Sequence, residues 1–308
     1  MHKPAVKAFY VISLDTDVAR REAFFAQPES RPFQVIPGID LRDEATDLDP
    51  VFDSDGFVVR YGRPPARAEI GCTLSHLEAI RRVATNSELA DSDYGLICED
   101  DARFTENYAG DVPRLTRGQF DILVLCFVRA ARNWESRIPI SAAVRLPSGS
   151  EAGPVWPNAG IGAAGYLVSK RAARGLLAEI GRDRPSWLAD DFVFFRDQGV
   201  RVWAARPLLI DDDPLAASSI QDERGPLTHD FEAADRQLQL RRHVEFWHDR
   251  RMRKRLWFVT EHLRGRLGWR LRTSGVVKRA AREMDDLANA LSPIEAFLRR
   301  TATSDARS

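Results

Sequence analysis

Glu99, Asp100 and Asp101 place three carboxylates in a row directly after Tyr94-Gly-Leu-Ile-Cys98, an apolar run of strand length. In open α/β sheets, ligands bind outside the carboxyl ends of the strands. Unit charges about 5 Å apart, at an effective dielectric near 20, repel by roughly 3 kcal/mol per pair. A divalent cation removes that repulsion and leaves coordination positions for phosphate oxygens. The competing reading is an acidic strand exit facing water, and the tripeptide alone does not separate the two. A second acidic pair, Asp190-Asp191, opens the run Phe192-Val-Phe-Phe-Arg196. A carboxylate at a helix start can take a proton from an attacking hydroxyl. Asp is equally a favoured N-cap that complements the helix dipole, so one of the pair is expected to cap.

The elements that must position these groups follow from periodicity. Lys7–Leu14 reads as a buried first strand. Asp15 or Thr16 caps the helix after it, which reaches about Phe25 and carries Arg20 and Arg21 in its early turns. Phe33–Ile36 is a second strand, ended by Pro37-Gly38, and residues 41–65 read as an irregular excursion. The helix after Pro65 is apolar on two faces. Ile70, Leu74 and Leu77 mark one, and Cys72, His76, Ala79 and Val83 mark the other. Such a helix is buried between two neighbours, so Ser75 and His76 lie inside.

Tyr94–Cys98 and Phe120–Leu125 are the next strands, with a short helix over Asp111–Arg117 between them. Residues 130–160 show little periodicity. Ile161–Val168 reads as a strand, Ser169 caps a helix through about Ile180, and Val200–Ala204 is a further strand. Asp211-Asp-Asp213 before Pro214 reads as a turn. Strands and helices alternate through residue 210, which predicts an α/β domain: a mainly parallel, Rossmann-like sheet flanked by helices. Residues 231–300 have no strand-like run and read as a helical appendage.

The 308 residues suffice for one large α/β domain or two smaller ones. Net charge is zero but unevenly spread. From Arg241 onward 17 basic residues face 8 acidic ones, a balance of +9; the first 240 residues hold 28 against 37, a balance of −9. A division into 1–225 and a basic 226–308 follows. Cys72, Cys98 and Cys126 are odd in number and form no C-x-x-C pair, so each is expected as a buried, reduced thiol, as suits the cytoplasm. Met1–Ala5 runs straight into the first strand, so no signal peptide is expected.

Several blocks fall in one order: Tyr10-Val-Ile-Ser-Leu-Asp15 with Arg20-Arg21, Ile36-Pro-Gly-Ile-Asp40, Ala68-Glu-Ile-Gly-Cys-Thr-Leu-Ser-His76, Leu96-Ile-Cys-Glu-Asp-Asp-Ala102, Gly165-Tyr-Leu-Val-Ser-Lys170 and Ala189-Asp-Asp191. Together they resemble glycosyltransferase family 25, the bacterial lipooligosaccharide sugar transferases related to collagen galactosyltransferases. The resemblance covers roughly residues 7–220. It implies a GT-A-like nucleotide-sugar fold, dependence on Mn²⁺ (or Mg²⁺), and inverting transfer of a hexose, most often galactose from UDP-galactose, onto a bacterial surface glycan.

In that frame Glu99 and Asp101 hold the metal, directly or through water, with Asp100 beside the donor. Asp191 or Asp190 is the base, with Asp191 preferred. Ser13, Leu14 and Asp15 meet the uridine, Arg20 or Arg21 pairs with the diphosphate, and Ser75 and His76 line the donor pocket. Asp211–Asp213 is an outside candidate for closing the metal site. The C-terminal region interleaves Trp247, Trp257, Phe258 and Trp269 with many arginines. Basic side chains are attracted to anionic leaflets and aromatics to the interface. Two readings stand: a peripheral contact with the cytoplasmic face of the inner membrane, bringing the enzyme to a lipid-linked glycan acceptor, or a helical hairpin packed on the body. No sequence motif for nucleic acid accompanies the basic run. Two competing functions remain: a metal-dependent nucleotidyltransferase, which releases pyrophosphate rather than UDP, and an inactive membrane-associated scaffold.

Overall fold

The computed structural model describes residues 4–42, 46–115, 120–126, 144–145, 150–154, 162–180, 184–213 and 238. Its centre is an eight-stranded sheet in the order β2-β1-β3-β8-β5-β9-β7-β6. The strands are β1 (Val6–Ser13), β2 (Gln34–Pro37), β3 (Tyr94–Glu99), β5 (Ile122–Val124), β6 (Val144–Arg145), β7 (Glu151–Pro154), β8 (Gly165–Ser169) and β9 (Val202–Arg206). Two short strands, β4 (Ala102–Phe104) and β10 (Ile210–Asp212), pair antiparallel beside it. Six of the eight main strands run the same way; β8, between β3 and β5, and β7 run against them. The architecture is α/β, as expected, with β8 as the main departure from a purely parallel order.

Alternation along each strand sorts side chains onto two faces, and each face has its own core. One core holds Ile97, Ile122, Val124, Tyr166 and Val168 under Ala79, Ile80 and Val83 of α3 (Arg67–Thr85), Ala173 and Leu176 of α5 (Lys170–Ile180), and Phe192 and Phe195 of α6 (Phe192–Asp197). The other holds Leu96, Cys98, Leu123, Leu167 and Trp203 under Phe24 of α1 (Val18–Phe25) and Tyr108 and Val112 of α4 (Tyr108–Leu115). Gly95 admits the close approach of α3: a Cβ there would stand 2.3 Å from Val83.

The irregular excursion contains a helix that sequence periodicity missed, α2 (Ser54–Tyr61). Its signals are local. The Asp53 carboxylate accepts the Gly56 N–H at 2.9 Å as N-cap, and Gly62 closes the helix in the left-handed region at φ 72°. Phe57 and Tyr61 then face a third cluster with Leu41, Phe52, Ile70 and Leu238. The Asp211–Asp213 segment is not a plain turn, because Ile210–Asp212 forms β10 against β4. The predicted appendage over 226–308, apart from Leu238, lies outside the described residues, as does most of 130–160.

Candidate active site

β1, β2 and β3 end together. Ser13 lies opposite Pro37 and Ile12 opposite Glu99, in parallel register. The chain places β2 on one side of β1 and then crosses to set β3 on the other, so their carboxyl ends form a topological switch point, where open α/β sheets leave a crevice. A cleft of about 120 Å³, open to solvent, occupies that position.

The expected residues Ser13, Leu14, Arg20, Ser75, His76, Glu99, Asp100 and Asp101 all line it, joined by Asp17, Asp40, Arg42 and Cys72. Asp15 and Arg21 do not. Arg21 instead braces the strand exit, its guanidinium donating to the Leu14 carbonyl at 3.0 Å and to Ser13 Oγ at 3.3 Å. Cys72 departs from the expectation for the three cysteines: it is partly exposed, on the cleft wall, whereas Cys98 and Cys126 are buried.

The wall opposite the acidic run is the segment 38–42, which α3 holds in place. Ser75 Oγ donates to the Gly71 carbonyl at 2.7 Å and accepts the Ile39 N–H at 2.8 Å. Arg67 Nε donates to the Leu41 carbonyl at 2.6 Å. Gly71 is required here, since a Cβ would lie 2.4 Å from the Ile39 carbonyl oxygen. The start of α3 is fixed by Glu69, which accepts the Ala66 N–H and takes both terminal nitrogens of buried Arg63 at 2.8 and 2.9 Å. The Ser75 hydroxyl thus clamps the wall as well as lining it. Sequence reading did not anticipate the roles of Arg63, Glu69 and Gly71, although all but Arg63 sit in the motif block on α3.

The three carboxylates differ in setting. β3 stops at Glu99 and the chain turns at residues 100–101. Side chains therefore no longer alternate, and Asp100 faces the cleft with its neighbours. Arg20 reaches Asp100 Oδ1 at 2.6 Å and Asp101 Oδ2 at 3.2 Å. Glu99 Oε1 meets His76 Nε2 at 3.2 Å, and His76 Nδ1 meets the Tyr166 hydroxyl at 3.1 Å. Burial pushes the Glu99 carboxyl up, but the His76 hydrogen bond and the His76 and Arg20 charges outweigh it, and the net shift is downward. Burial raises Asp100, with Arg20 opposing. Burial and the Glu99 charge together lift Asp101 from 3.8 to about 7. Asp100 Oδ2 and Asp101 Oδ1 are buried with no hydrogen-bond partner among the described residues. Buried anionic oxygens without donors suit a cation, so the acidic run fits a hard divalent ion. β10 comes to the same place: the Asp213 N–H donates to the Asp101 carbonyl at 2.9 Å, and Asp213 pairs with Arg103 at 2.6 Å.

The two downstream aspartates differ in setting. Asp191 is buried and caps α6. Its Oδ1 accepts the Phe194 N–H at 3.1 Å, and its Oδ2 accepts the Tyr61 hydroxyl at 2.6 Å. Tyr61 in turn accepts the Leu188 N–H at 3.0 Å. Asp190 is exposed, and its charge is felt at Cys72 on the cleft wall, where burial, then Glu99, Asp190 and Asp101, raise the thiol well above its ordinary value. Neither aspartate lines the cleft.

Residues 6–130 match the family model described as glycosyltransferase family 25 (LPS biosynthesis protein). That segment contains β1, the 38–42 wall, α3 and the acidic run. The match spans 125 of the 308 residues and includes the motif blocks from Tyr10 to Ala102, so the likeness to that family is one of this segment. No curated protein matches the chain. Among solved structures, the A197 protein from STIV is 11% identical with a TM-score of 0.36, covering 70% of this chain and 98% of its own. The inositol-1-phosphate CTP transferase from T. maritima is 11% identical with a TM-score of 0.37, covering 72% and 98%. At such scores the likeness is loose.

Proposed function

We propose that the chain is an inverting, metal-dependent glycosyltransferase that moves a hexose, galactose from UDP-galactose in the first instance, onto a bacterial surface glycan. The observation that carries this reading is the coincidence of the family match over residues 6–130 with the switch-point cleft and its carboxylate oxygens, which have no hydrogen-bond partner among the described residues. Glu99 and Asp101 would hold Mn²⁺ or Mg²⁺, with Asp100 beside them. The ion, when bound, neutralises charge on the diphosphate leaving group. Ser13 and Leu14 at the β1 exit bound the nucleotide end. Arg20 supplies the cationic side chain for the diphosphate, and His76, held by Tyr166, keeps Glu99 in place.

For the base, the assignment moves from Asp191 to Asp190. Asp191 is buried as the N-cap, whereas Asp190, just before the helix, is exposed and its charge reaches Cys72 on the cleft wall. Two measurements test this. Isothermal titration of a Glu99→Ala/Asp101→Ala variant with Mn²⁺ and UDP should show binding lost; wild-type affinity would remove the metal assignment. Asp190→Asn should abolish turnover while sparing UDP binding; retained kcat would end the base assignment.

Among the described residues no helix is long and apolar enough to cross a membrane. Peripheral attachment to an anionic inner-membrane surface through the basic C-terminal region remains part of the proposal, with a lipid-linked glycan as the acceptor. Liposome flotation of wild type against a variant with Arg250, Arg251, Arg253 and Arg255 changed to Glu decides it, since equal flotation rules the contact out.

A further inference from the structure

We propose that the inner wall of the cleft is a second, softer metal site, in which Cys72 Sγ, His76 Nε2 and a Glu99 carboxylate oxygen take a Zn²⁺-class ion. Cys72 and His76 lie four residues apart on α3, hence on one face of the helix. The end of β3 brings Glu99 against them, and the three ligand atoms all lie within 4.8 Å of one another. Tetrahedral Zn²⁺, with sulfur at about 2.3 Å and nitrogen or oxygen at about 2.0 Å, sets its ligand atoms about 3.5 Å apart. His76 Nε2 and Glu99 Oε1, at 3.2 Å, are already near that spacing, and the Cys72 sulfur lies within 4.8 Å of the other two ligand atoms.

The ring is held for the task. Buried His76 meets the Tyr166 hydroxyl through Nδ1, which leaves Nε2 toward the site, the outer-shell arrangement that orients metal-ligating histidines. The donor set is also selective. A thiol and an imidazole favour Zn²⁺ and Co²⁺, whereas the all-oxygen run Glu99–Asp101 favours Mn²⁺ or Mg²⁺. Three protein ligands leave the fourth position open toward the cleft.

Glu99 belongs to both sets, so one carboxylate cannot serve both ions in full. Zn²⁺ in the inner site therefore displaces Mn²⁺ and with it Mn²⁺-dependent UDP binding. Zn²⁺ binding itself does not depend on the sugar-transfer reading; the competition does.

Co²⁺ added to the metal-free full-length chain is the direct probe. Thiolate coordination gives a near-ultraviolet charge-transfer band, which should appear in wild type, persist in Cys98→Ser and vanish in Cys72→Ser. Zn²⁺ should bleach the band, and its affinity should fall by at least about tenfold in Cys72→Ser. In unaltered protein, Zn²⁺ should protect Cys72 from alkylation, read by peptide mapping, so the proposal stays testable if the variant folds poorly. Absence of the band, or protection and affinity indifferent to Cys72, overturns the site. In a second arm, Mn²⁺-dependent UDP binding should be lost on adding one equivalent of Zn²⁺. If the cobalt band is present and UDP binding survives, the softer site stands and the assignment of Glu99 to the donor metal falls.

Discussion

Asp101→Asn tests the electrostatic argument where it is sharpest. In the folded protein the Asp101 carboxyl ionises at about 7 rather than 3.8, because burial and the neighbouring Glu99 charge disfavour its anion. A carboxyl raised in this way binds its proton in the folded state across a pH range where the unfolded chain has already released it. Stability therefore falls as pH rises from about 4 through about 7, and the full loss is present above that window. Each pH unit of displacement is worth about 1.4 kcal/mol, which sets an upper bound of about 4 kcal/mol. Because Glu99 shares the repulsion, a difference of about 2–4 kcal/mol is expected. Asn keeps the shape and an oxygen for Arg20, and it removes the titration.

The assay is urea unfolding of metal-free wild type and variant near pH 5 and near pH 8. The variant should be the more stable protein near pH 8, with the gap closing near pH 5. Mn²⁺ with UDP should stabilise wild type, since a ligand that binds only the folded state shifts unfolding by mass action, and should do little for the variant. Parallel pH profiles, or a variant weaker than wild type near pH 8, would refute the reasoning.

Two further substitutions probe the scaffold behind the cleft. Tyr61→Phe removes the hydroxyl that donates to Asp191 and accepts from Leu188. It leaves buried polar groups unpaired and should cost about 1–3 kcal/mol in urea unfolding; a neutral result would mean that water replaces the hydroxyl. Gly71→Ala inserts a methyl 2.4 Å from the Ile39 carbonyl. It should lower stability by about 1–3 kcal/mol and weaken UDP binding by displacing the 38–42 wall, whereas unchanged values on both counts would show that the wall is not held by this contact.

Much of this arrangement was legible in the sequence, for reasons that can be named. The Tyr94–Cys98 run is apolar on both faces because the sheet has a core on each side, and its acidic end marks the strand exit. The two apolar stripes of the helix after Pro65 anticipated α3 and the burial of Ser75 and His76. Periodicity does not mark α2, because only Phe57 and Tyr61 of its apolar residues are buried, and they answer to a separate small cluster, while Val58 and Val59 are exposed. The Asp53 cap and the Gly62 terminator were the available signals, and both lay in a stretch rich in such residues. The composition of Asp211–Asp213 predicts a turn; only pairing with β4, more than a hundred residues earlier, makes Ile210–Asp212 a strand. The engagement of Asp191 depends on Tyr61, which arrives from α2 and carries no sequence mark. The spacing of Cys72 predicts a buried thiol, since nothing in it tells that its helix turn opens on the cleft.

The central claim is that a cation held at Glu99 and Asp101 serves UDP-sugar chemistry in this cleft. It is tested most directly by measuring UDP release across a panel of UDP-sugars, with and without Mn²⁺, for wild type and for Glu99→Ala/Asp101→Ala. The account predicts that wild type releases UDP from one donor when the metal is present, and that the double variant releases none. Pyrophosphate release from nucleoside triphosphate and sugar phosphate, or UDP release indifferent to both the metal and the two carboxylates, would contradict it.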